Sequence, residues 1–458
     1  MKKISRRSFL QIAGISAAAM GLAACGSASS TAPASTAASS TAASSTAASS
    51  AAAATGKVYY LNFKPESDQA WQDLAKKYTE STGVDVKVVT AASGTYSETL
   101  TAEMDKSDMP TLFQCGNKAG LDTWGDYCYD LSSTDVYKQM TTDDFNLTDD
   151  SGAVKAIGYC YEAFGIITNL ALLEKAGYKK EDITNFDSLK KVAEDITKRH
   201  ASGELDFAAF TSSGLDDSSS WRFSGHLANM PLYYEFRDDK ITAQPATIKG
   251  TYMDNYKNIW DLYVNNSDTK PAALTTATGD QAEAEFGQGK ACFYQNGTWE
   301  YANLVTDTTK NFKMDATKLA MLPIYCGVSG EEKAGLCCGT ENCWAVNAKS
   351  AEEDIQATLD FINWVVTSDD GTAMMAEQFG PIPFKSAKAS ENVFFNDANA
   401  YINAGNYTVT WAFNYTPNVD EWRKGVVAAL TQYTVGGGKW DDVVSAFVQG
   451  WATQYNNQ

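Results

Sequence analysis

The sequence is poor in histidine and has no surplus of positive charge. Only 2 His residues occur among 458, which argues against His-based zinc sites and against Ser-His or Cys-His catalysis. The formal net charge is −19, which argues against a nucleic-acid or anionic-membrane partner, because both are bound through basic patches. Hydrophobic residues make up 44% and charged residues 20%, so global disorder is excluded. Aromatic residues reach 12%, more than a core requires, and this surplus points to a binding surface.

Sequence signatures of catalysis and cofactor binding are also missing. There is no G-x-S-x-G, H-E-x-x-H, P-loop or G-x-G-x-x-G motif, and no calcium loop of the D-x-[DN]-x-[DN]-G type. We therefore expect no enzyme, no cofactor and no metal. A glycoside hydrolase stays open as an alternative, because two acidic residues at the right separation suffice for that chemistry.

The N-terminus reads as a targeting segment. Residues 1–25 begin with Lys2, Lys3, Arg6 and Arg7 and continue into a short apolar stretch, as in a secretory signal that is too short for a stable membrane span. The segment SRRSFLQ resembles the twin-arginine export motif, and an ordinary secretory signal with two adjacent arginines remains the alternative. Leu22-Ala23-Ala24-Cys25 is typical of a bacterial lipobox, so we expect Cys25 to be lipidated. Residues 26–56 contain only Ala, Ser, Thr, Gly and Pro, which predicts a flexible tether.

The spacing of the cysteines does not define a disulfide pairing or a metal site. No C-x-x-C pair exists, so a zinc ribbon or a thioredoxin-type site is not expected. An exported chain permits disulfides, but eight thiols allow 105 pairings, and buried free thiols are the simpler reading for most of them. The eight that follow Cys25 are Cys115, Cys128, Cys160, Cys292, Cys326, Cys337, Cys338 and Cys343.

Hydrophobic periodicity predicts an α/β sheet at the start of the folded region. Strand-like segments at 57–63, 84–90 and 111–114 alternate with helical patterns, the first capped by Ser67 and stopped by Gly83. This alternation predicts parallel pairing with helical crossovers. Ligands bind beyond the carboxyl ends of such strands, which here are residues 62–66 and 115–118. Two later aromatic stripes, at 252–264 and 440–451, are interpreted as core faces of helices.

Four separated segments together resemble a known family. They are YEAFGIITNLALLEKAGYKKEDITNFDSLKKVAEDI, FGQGKACFYQNGTWEYANL, LCCGTENCWAVNAKSAEEDIQATLDFINWV and TPNVDEWRKGVVAALTQYTVGGGKWDDVVSAFVQGW. In this order they resemble the family 1 extracellular solute-binding proteins of ATP-driven sugar importers, the maltose-binding-protein-like family. The resemblance implies an α/β, two-lobed periplasmic-binding-protein-like fold of type II, with mainly parallel sheets joined by hinge strands. Lobe one would take residues 57–160 and 345–391, and lobe two residues 161–344 and 392–458.

The same resemblance implies a function and its partners. The expected protein is a receptor, lipid-anchored on the extracellular face of the bacterial membrane, that binds a carbohydrate, expected to be an oligosaccharide, and delivers it to an ABC permease. We expect a monomer. A non-sugar solute and a glycan adhesin are further alternatives, and the sequence does not identify the sugar.

Sugar binding needs flat aromatic faces for the ring and carboxylates or amides for the hydroxyls. Trp299 occupies the tryptophan of the N-G-x-W motif, and Glu162 matches a family glutamate after the first hinge strand. Each candidate has a structural reading beside the functional one: core packing for the tryptophans and a solvated or paired surface for the polar residues. The predicted ligand contacts are Trp299, Trp221, Glu162, Glu66, Lys64, Asn117, Trp422, Trp411 and Glu341.

Overall fold

Residues 56–457 are described by a computed structural model. The predicted signal segment, Cys25 and all of the tether before Gly56 lie outside this range. None of the helices within it is both long and apolar enough to span a membrane.

Two mixed sheets organise the described chain. The strands are β1 (Lys57–Asn62), β2 (Asp85–Thr90), β3 (Leu112–Gln114), β4 (Leu147–Thr148), β5 (Val154–Gly158), β6 (Glu162–Asn169), β7 (Ala208–Phe210), β8 (Ala291–Gly297), β9 (Leu319–Leu322), β10 (Ala334–Gly339), β11 (Cys343–Val346) and β12 (Tyr407–Thr410). The first sheet has the order β2-β1-β3-β11-β5-β4, and the second β12-β10-β6-β8-β7, with β9 paired to β6.

Helices cover both sheets. The α-helices are α1 (Asp68–Thr82), α2 (Tyr96–Met104), α3 (Lys118–Trp124), α4 (Asp135–Lys138), α5 (Leu170–Lys175), α6 (Phe186–Ala201), α7 (Ala228–Asp239), α8 (Met253–Asn265), α9 (Gly279–Gly287), α10 (Glu352–Thr367), α11 (Asp369–Gln378), α12 (Val393–Asn403), α13 (Val419–Thr434) and α14 (Trp440–Asn456). There are also two π-helical turns. Arg222–Leu227 directly precedes α7, and Ala302–Thr306 follows β8.

The beginning of the fold follows the predicted alternation closely. β1 pairs with β2 and β3 in parallel, as expected. Gly83 ends α1 with φ of 78°, a left-handed conformation in which glycine carries no Cβ penalty. Ser67 occupies the N-cap position of α1, but its hydroxyl makes no capping hydrogen bond. The predicted capping interaction is therefore wrong, although the predicted helix start is nearly right.

The expectation of mainly parallel sheets is also wrong. β11 runs antiparallel to β3 and β5, and β6 runs antiparallel to β8, β9 and β10. The reason is connectivity: the chain leaves the first sheet through β5, enters the second through β6, and returns from β10 to β11. Strands that cross between sheets reach their neighbours from the opposite direction.

Alternation along the strands gives each sheet two buried faces. In β6, Phe164 and Ile166 join one hydrophobic cluster, and Ala163 and Ile167 join another on the opposite face. β1 divides in the same way, with Tyr60 on one face and Leu61 on the other. The aromatic stripes of α8 and α14 are buried in the core of the second lobe, as predicted. All eight cysteines of the described range are buried free thiols.

Candidate functional site

Two short crossing segments join the sheets and define the centre of the site. Residues 159–161 connect β5 to β6, and residues 340–342 connect β10 to β11. They lie side by side, because the backbone N–H of Tyr159 donates to the carbonyl of Asn342 over 2.9 Å. Strand ends from both sheets converge on this crossing, so loops from both lobes face each other across a cleft.

A buried ion pair spans this cleft. Lys64, two residues after β1, donates through Nζ to Glu162 Oε1 over 2.7 Å, and Glu66 Oε1 lies 3.5 Å from the same Nζ. The side chains of Lys64 and Glu162 are only 8% and 5% exposed. Burial lowers the pKa of Lys64, but Glu162 and Glu66 outweigh this effect and hold the pKa above its ordinary value. Lys64 is therefore a cation neutralised by two carboxylates.

A hydrogen-bond network of polar side chains extends from this ion pair into the crossing segments. Asn342 Nδ2 donates to Glu162 Oε2 over 2.6 Å, and the Tyr159 hydroxyl donates to Asn342 Oδ1 over 3.3 Å. Gln114, at the end of β3, donates to that hydroxyl over 2.5 Å. The carboxylate of Glu162 is thus held on both oxygens, in the way that buried charge requires.

Aromatic rings form one wall of the cleft. Trp299 is half-buried, and its ring lies against Gly297, where an added Cβ would come 2.2 Å from the indole. Lys64 Nζ lies 4.7 Å from the Trp299 ring centroid. Trp221 is also half-buried, 6.1 Å from Trp299 between ring centroids, and its Nε1–H donates to the carbonyl of Ser218 over 2.9 Å. The structure therefore brings together Trp299, Trp221, Lys64, Glu66 and Glu162.

His226 completes this wall, and sequence reasoning missed it. Its ring stacks on Phe164 at 4.0 Å and lies 5.5 Å from Trp299 between centroids. Gln295 Nε2 donates to its Nδ1 over 2.9 Å. Burial holds the pKa of His226 well below its usual range, with Arg423 and Arg222 adding to the effect. The imidazole is therefore a neutral ring in a wall of aromatic rings, and a lone His in an apolar segment gave no signal of this.

Trp422 corrects an expectation. It is 1% exposed, its Nε1–H donates to the carbonyl of Phe447, and its ring packs edge-on against Phe447 and Trp451. A side chain buried between α13 and α14 offers no surface to a ligand. The periodic aromatic pattern of the closing helices describes core packing at this position.

Trp411 and Asn117 lie in a second part of the cleft. Trp411 follows β12, is nearly buried, and packs on Gly339 at the end of β10. Asn117 caps α3, since its Oδ1 accepts from the backbone N–H of Gly120 over 2.9 Å. Both residues line a cavity of about 210 Å³ between the lobes. Its lining also includes Phe145, Asn146, Thr340, Asn414 and Tyr415.

Glu341 lies on the crossing segment, where its backbone faces Gly116 of the first lobe. It is half-buried. Desolvation raises the pKa of its carboxyl, and Arg423, from α13, partly opposes that shift. No ion pair joins Glu341 to Arg423 or Lys64 in the described part of the chain.

A buried acid pair lies behind the aromatic wall and was also missed. Glu300 follows Trp299 directly, and its Oε1 accepts from Asn296 Nδ2 over 2.9 Å. Glu283, on α9, pairs with Lys310 at 3.1 Å. Burial, with Glu283 and Glu66 adding repulsion, raises the pKa of Glu300 to about 8. Among residues 56–457, no cluster of three or more His, Cys, Asp or Glu side chains is arranged to hold a metal ion.

Comparison with known families identifies the class of protein. Residues 73–400 match the model of the bacterial extracellular solute-binding proteins, and the chain belongs to this family. The resemblance read from the four sequence segments is confirmed at this level.

Solved structures support the two-lobed fold. The solute-binding protein RafE in complex with raffinose matches with a TM-score of 0.67 and 17% identity, over 88% of this chain and 99% of that chain. A chitin oligosaccharide binding protein gives 0.67 and 14%, over 88% and 100%. A sugar transporter protein from Bacillus licheniformis in complex with stachyose gives 0.65 and 17%, over 86% and 100%. Comparison with the curated proteins gives no significant match.

Proposed function

We propose that the chain is a lipid-anchored extracellular receptor that binds an oligosaccharide between its lobes and delivers it to an ABC importer. The observation that carries the proposal is the wall of Trp299, Trp221 and His226 beside the partly exposed carboxylate of Glu66. Aromatic faces cover the apolar face of a sugar ring, and carboxylates accept hydrogen bonds from its hydroxyls. Such a combination suits a neutral polyhydroxy ligand better than an apolar or metal-bound one.

Three similar solved structures are named for sugars. RafE was solved with raffinose, and the Bacillus licheniformis protein with stachyose. The third similar structure is named for chitin oligosaccharides. Identities of 14–17% carry the fold alone, so the ligand class rests on the aromatic and acidic groups of this cleft.

Contacts between the two lobes support the proposal that the permease recognises the form in which the lobes have closed on the ligand. Lys424, on α13, lies 3.1 Å from Glu98, on α2, and α3 packs against residues 412–415. Ligand between the lobes would stabilise this closed arrangement through contacts to both sides. The hinges would be the two crossing segments, near residues 160–161 and 338–344. The lobe boundaries at residues 160, 344 and 391 remain part of this proposal, as do the monomeric state and the choice between ordinary secretion and twin-arginine export.

Thermal melting of the purified full chain tests the ligand class. Raffinose, stachyose, maltose and chitotriose are added separately, and a ligand at 100 times its Kd stabilises the folded state by about 2.7 kcal/mol. We expect at least one of these sugars to raise the melting temperature. Chromatography of the same samples should show intact sugar. Products formed at enzymatic rates would support a glycoside hydrolase instead, and no shift with any sugar would contradict the proposal.

Small-angle scattering tests closure on the same material. Binding should reduce the radius of gyration, because the lobes approach each other about the crossing segments. An unchanged scattering curve at saturating sugar would indicate a rigid module, as expected of an adhesin.

A further inference from the structure

A buried carboxyl closes the turn that carries Trp299. Glu300 follows Trp299 directly, is 7% exposed, and accepts through Oε1 from Asn296 Nδ2 over 2.9 Å. This hydrogen bond spans the turn of residues 296–300, in which the indole of Trp299 lies against the backbone of Gly297. The side chain of Glu300 therefore links the two ends of the turn that places the ring in the cleft wall.

The second oxygen of this carboxyl has no partner. Glu300 Oε2 is buried and makes no hydrogen bond within the described residues. The nearby cations are already engaged, because Lys310 pairs with Glu283 at 3.1 Å and the guanidinium of Arg222 donates to two backbone carbonyls. An ionised Glu300 would be a buried charge without compensation, and such groups are neutralised in folded proteins.

The charges around Glu300 also favour its neutral form. The charged and titratable groups that face it are Glu283 on α9, Lys310 after the second π-helical turn, Arg222 in the first one, Tyr294 on β8 and Glu66 after β1, with Asp280 and Asp307 beside Glu283. Burial and repulsion from Glu283 and Glu66 raise the pKa of Glu300 to about 8. Because Lys310 pairs with Glu283, the proton of the acid pair resides on Glu300.

The two protonation states act differently on the turn. A neutral carboxyl keeps the hydrogen bond from Asn296 without placing a charge in the interior. A carboxylate in the same place would be repelled by Glu283 and Glu66, so ionisation favours movement of the side chain toward water. Trp299 is the preceding residue, and such a movement would shift its indole from its place against Gly297.

We propose that Glu300, as a neutral acid, is a positioning residue for Trp299, and that its ionisation displaces the indole and weakens sugar binding. The inference rests on the proposed function, because it takes Trp299 as a ligand contact. It adds a pH response to the receptor, which holds sugar at neutral pH and releases it in alkaline surroundings. If the neutral form alone holds the ring in place, a group that titrates at about pH 8 makes the apparent Kd rise about 10-fold between pH 7 and pH 9.

Other groups of the cleft wall do not titrate in this interval. Burial holds the pKa of His226 well below its usual range. Burial lowers the pKa of Lys64, but its carboxylate partners hold it above the ordinary value. Burial also raises the pKa of Tyr294 well above its ordinary value. Neutral sugars carry no titratable group here, so a pH response between pH 7 and pH 9 reports on the protein.

Calorimetric titration of the purified full chain at pH 7, 8 and 9 tests the effect on binding. The probes are raffinose, stachyose, maltose and chitotriose, and wild type should lose about 10-fold in affinity from pH 7 to pH 9 for each sugar that it binds. Glu300→Gln keeps the acceptor for Asn296 and cannot ionise, so it should bind equally well at both pH values. Glu283→Gln should move the loss of affinity to lower pH, because it removes a repelling charge and frees Lys310 to pair with Glu300.

Tryptophan fluorescence tests the positioning of the ring without a sugar. Emission from wild type should change between pH 7 and pH 9, and this change should be absent in Glu300→Gln and reduced in Trp299→Phe. Glu174→Gln is the matched control, because Glu174 is an exposed acid on α5, and it should respond as wild type does. Glu341→Gln should also keep the wild-type response, although burial raises the pKa of the Glu341 carboxyl.

The outcomes separate this inference from the proposed function. Wild type that binds a sugar equally well at pH 7 and pH 9, or Glu300→Gln that loses affinity as wild type does, overturns the inference and leaves the receptor intact. Wild type that binds none of the sugars contradicts the receptor, and an unchanged emission then contradicts the positioning role as well. If Glu300→Gln does not fold, a wild-type pH dependence in Glu283→Gln contradicts the inference, and a shift to lower pH supports it.

Discussion

The indole of Trp299 lies directly against the backbone of Gly297. A Cβ at position 297 would come 2.2 Å from two ring atoms and 2.5 Å from a third, closer than real Cβ contacts permit. The glycine of the Asn296-Gly297-Thr298-Trp299 turn is therefore needed for close approach of a ring rather than for an unusual dihedral. This contact fixes the position of the indole, which also lies 4.7 Å from Lys64 Nζ.

Gly297→Ala should displace the indole and weaken sugar binding about 10-fold or more. Overpacking of this kind also costs about 1–3 kcal/mol of stability, measured by urea unfolding beside the calorimetric titration. Gly425→Ala is the control, because a Cβ there meets nothing within 4 Å and the helix interior gains from alanine. Equal binding by wild type and Gly297→Ala would show that the ring position does not matter for the ligand.

Trp299→Ala and Trp422→Ala should have opposite effects. Trp299 is half-buried in the cleft wall, so its loss should weaken binding by about 2–4 kcal/mol with a small change in melting temperature. Trp422 is buried in the core, so its loss should cost about 3–5 kcal/mol of folding stability. Titration and melting of the same samples distinguish the two. Early unfolding of Trp299→Ala would make that residue structural.

Lys64 and Glu162 should show strong energetic coupling. Lys64→Met leaves the buried Glu162 and the partly buried Glu66 without their cation, and breaking a buried pair costs about 3–5 kcal/mol. The double variant Lys64→Met/Glu162→Gln should lose less than the sum of the single variants, with a coupling of at least about 1 kcal/mol in urea unfolding. Additive losses would mean that the ion pair does not link the two lobes energetically.

Glu300 should make stability depend on pH in the neutral range. Its carboxyl holds a proton in the folded protein up to a pKa of about 8, against an ordinary value of 4.5. Between these values the unfolded chain binds fewer protons than the folded one, so the free energy of unfolding falls as pH rises from about 4.5 to about 8. Glu300→Gln cannot ionise and should reduce this fall by a few kcal/mol. Parallel profiles for wild type and variant would contradict the assignment.

Cys25→Ala should release the protein from the membrane. The expectation comes from the Leu22-Ala23-Ala24-Cys25 sequence. Fractionation should find wild type with membranes and carrying a fatty-acid label, and the variant in the soluble fraction. Membrane retention of the variant, with no label on wild type, would contradict lipid anchoring.

Sequence reasoning reached the local order of the fold and missed what depends on distant strands. Alternation and the Gly83 stop placed β1, α1, β2, α2 and β3 within a few residues, because these signals are local. The mixed character of the sheets was missed, because pairing of β11 with β3 and β5 joins segments far apart in the chain. Local propensity carries no record of such pairings.

The site residues also divide into those with a local sequence signal and those that depend on distant segments. Trp299 could be singled out from the sequence through the N-G-x-W motif. The glycine of that motif lets the indole approach the backbone closely. Trp422 was assigned to the ligand site through the resemblance to the family's closing helices, which does not show that its ring packs on Phe447 and Trp451. His226 was missed because its place in the aromatic wall depends on neighbours from other elements, such as Phe164.

The place of β11 between β3 and β5 also has a consequence for how the chain folds. β3 and β5 precede β6 to β10, and β11 follows them, so the gap in the first sheet stays open until most of the second sheet has been made. During that interval β3 and β5 each present an unpaired strand edge, the kind of surface that pairs with other chains. Closing the gap requires contacts of long sequence separation, which form slowly. We expect assembly of the first lobe to be the slow step after export, and the step most sensitive to aggregation at high expression.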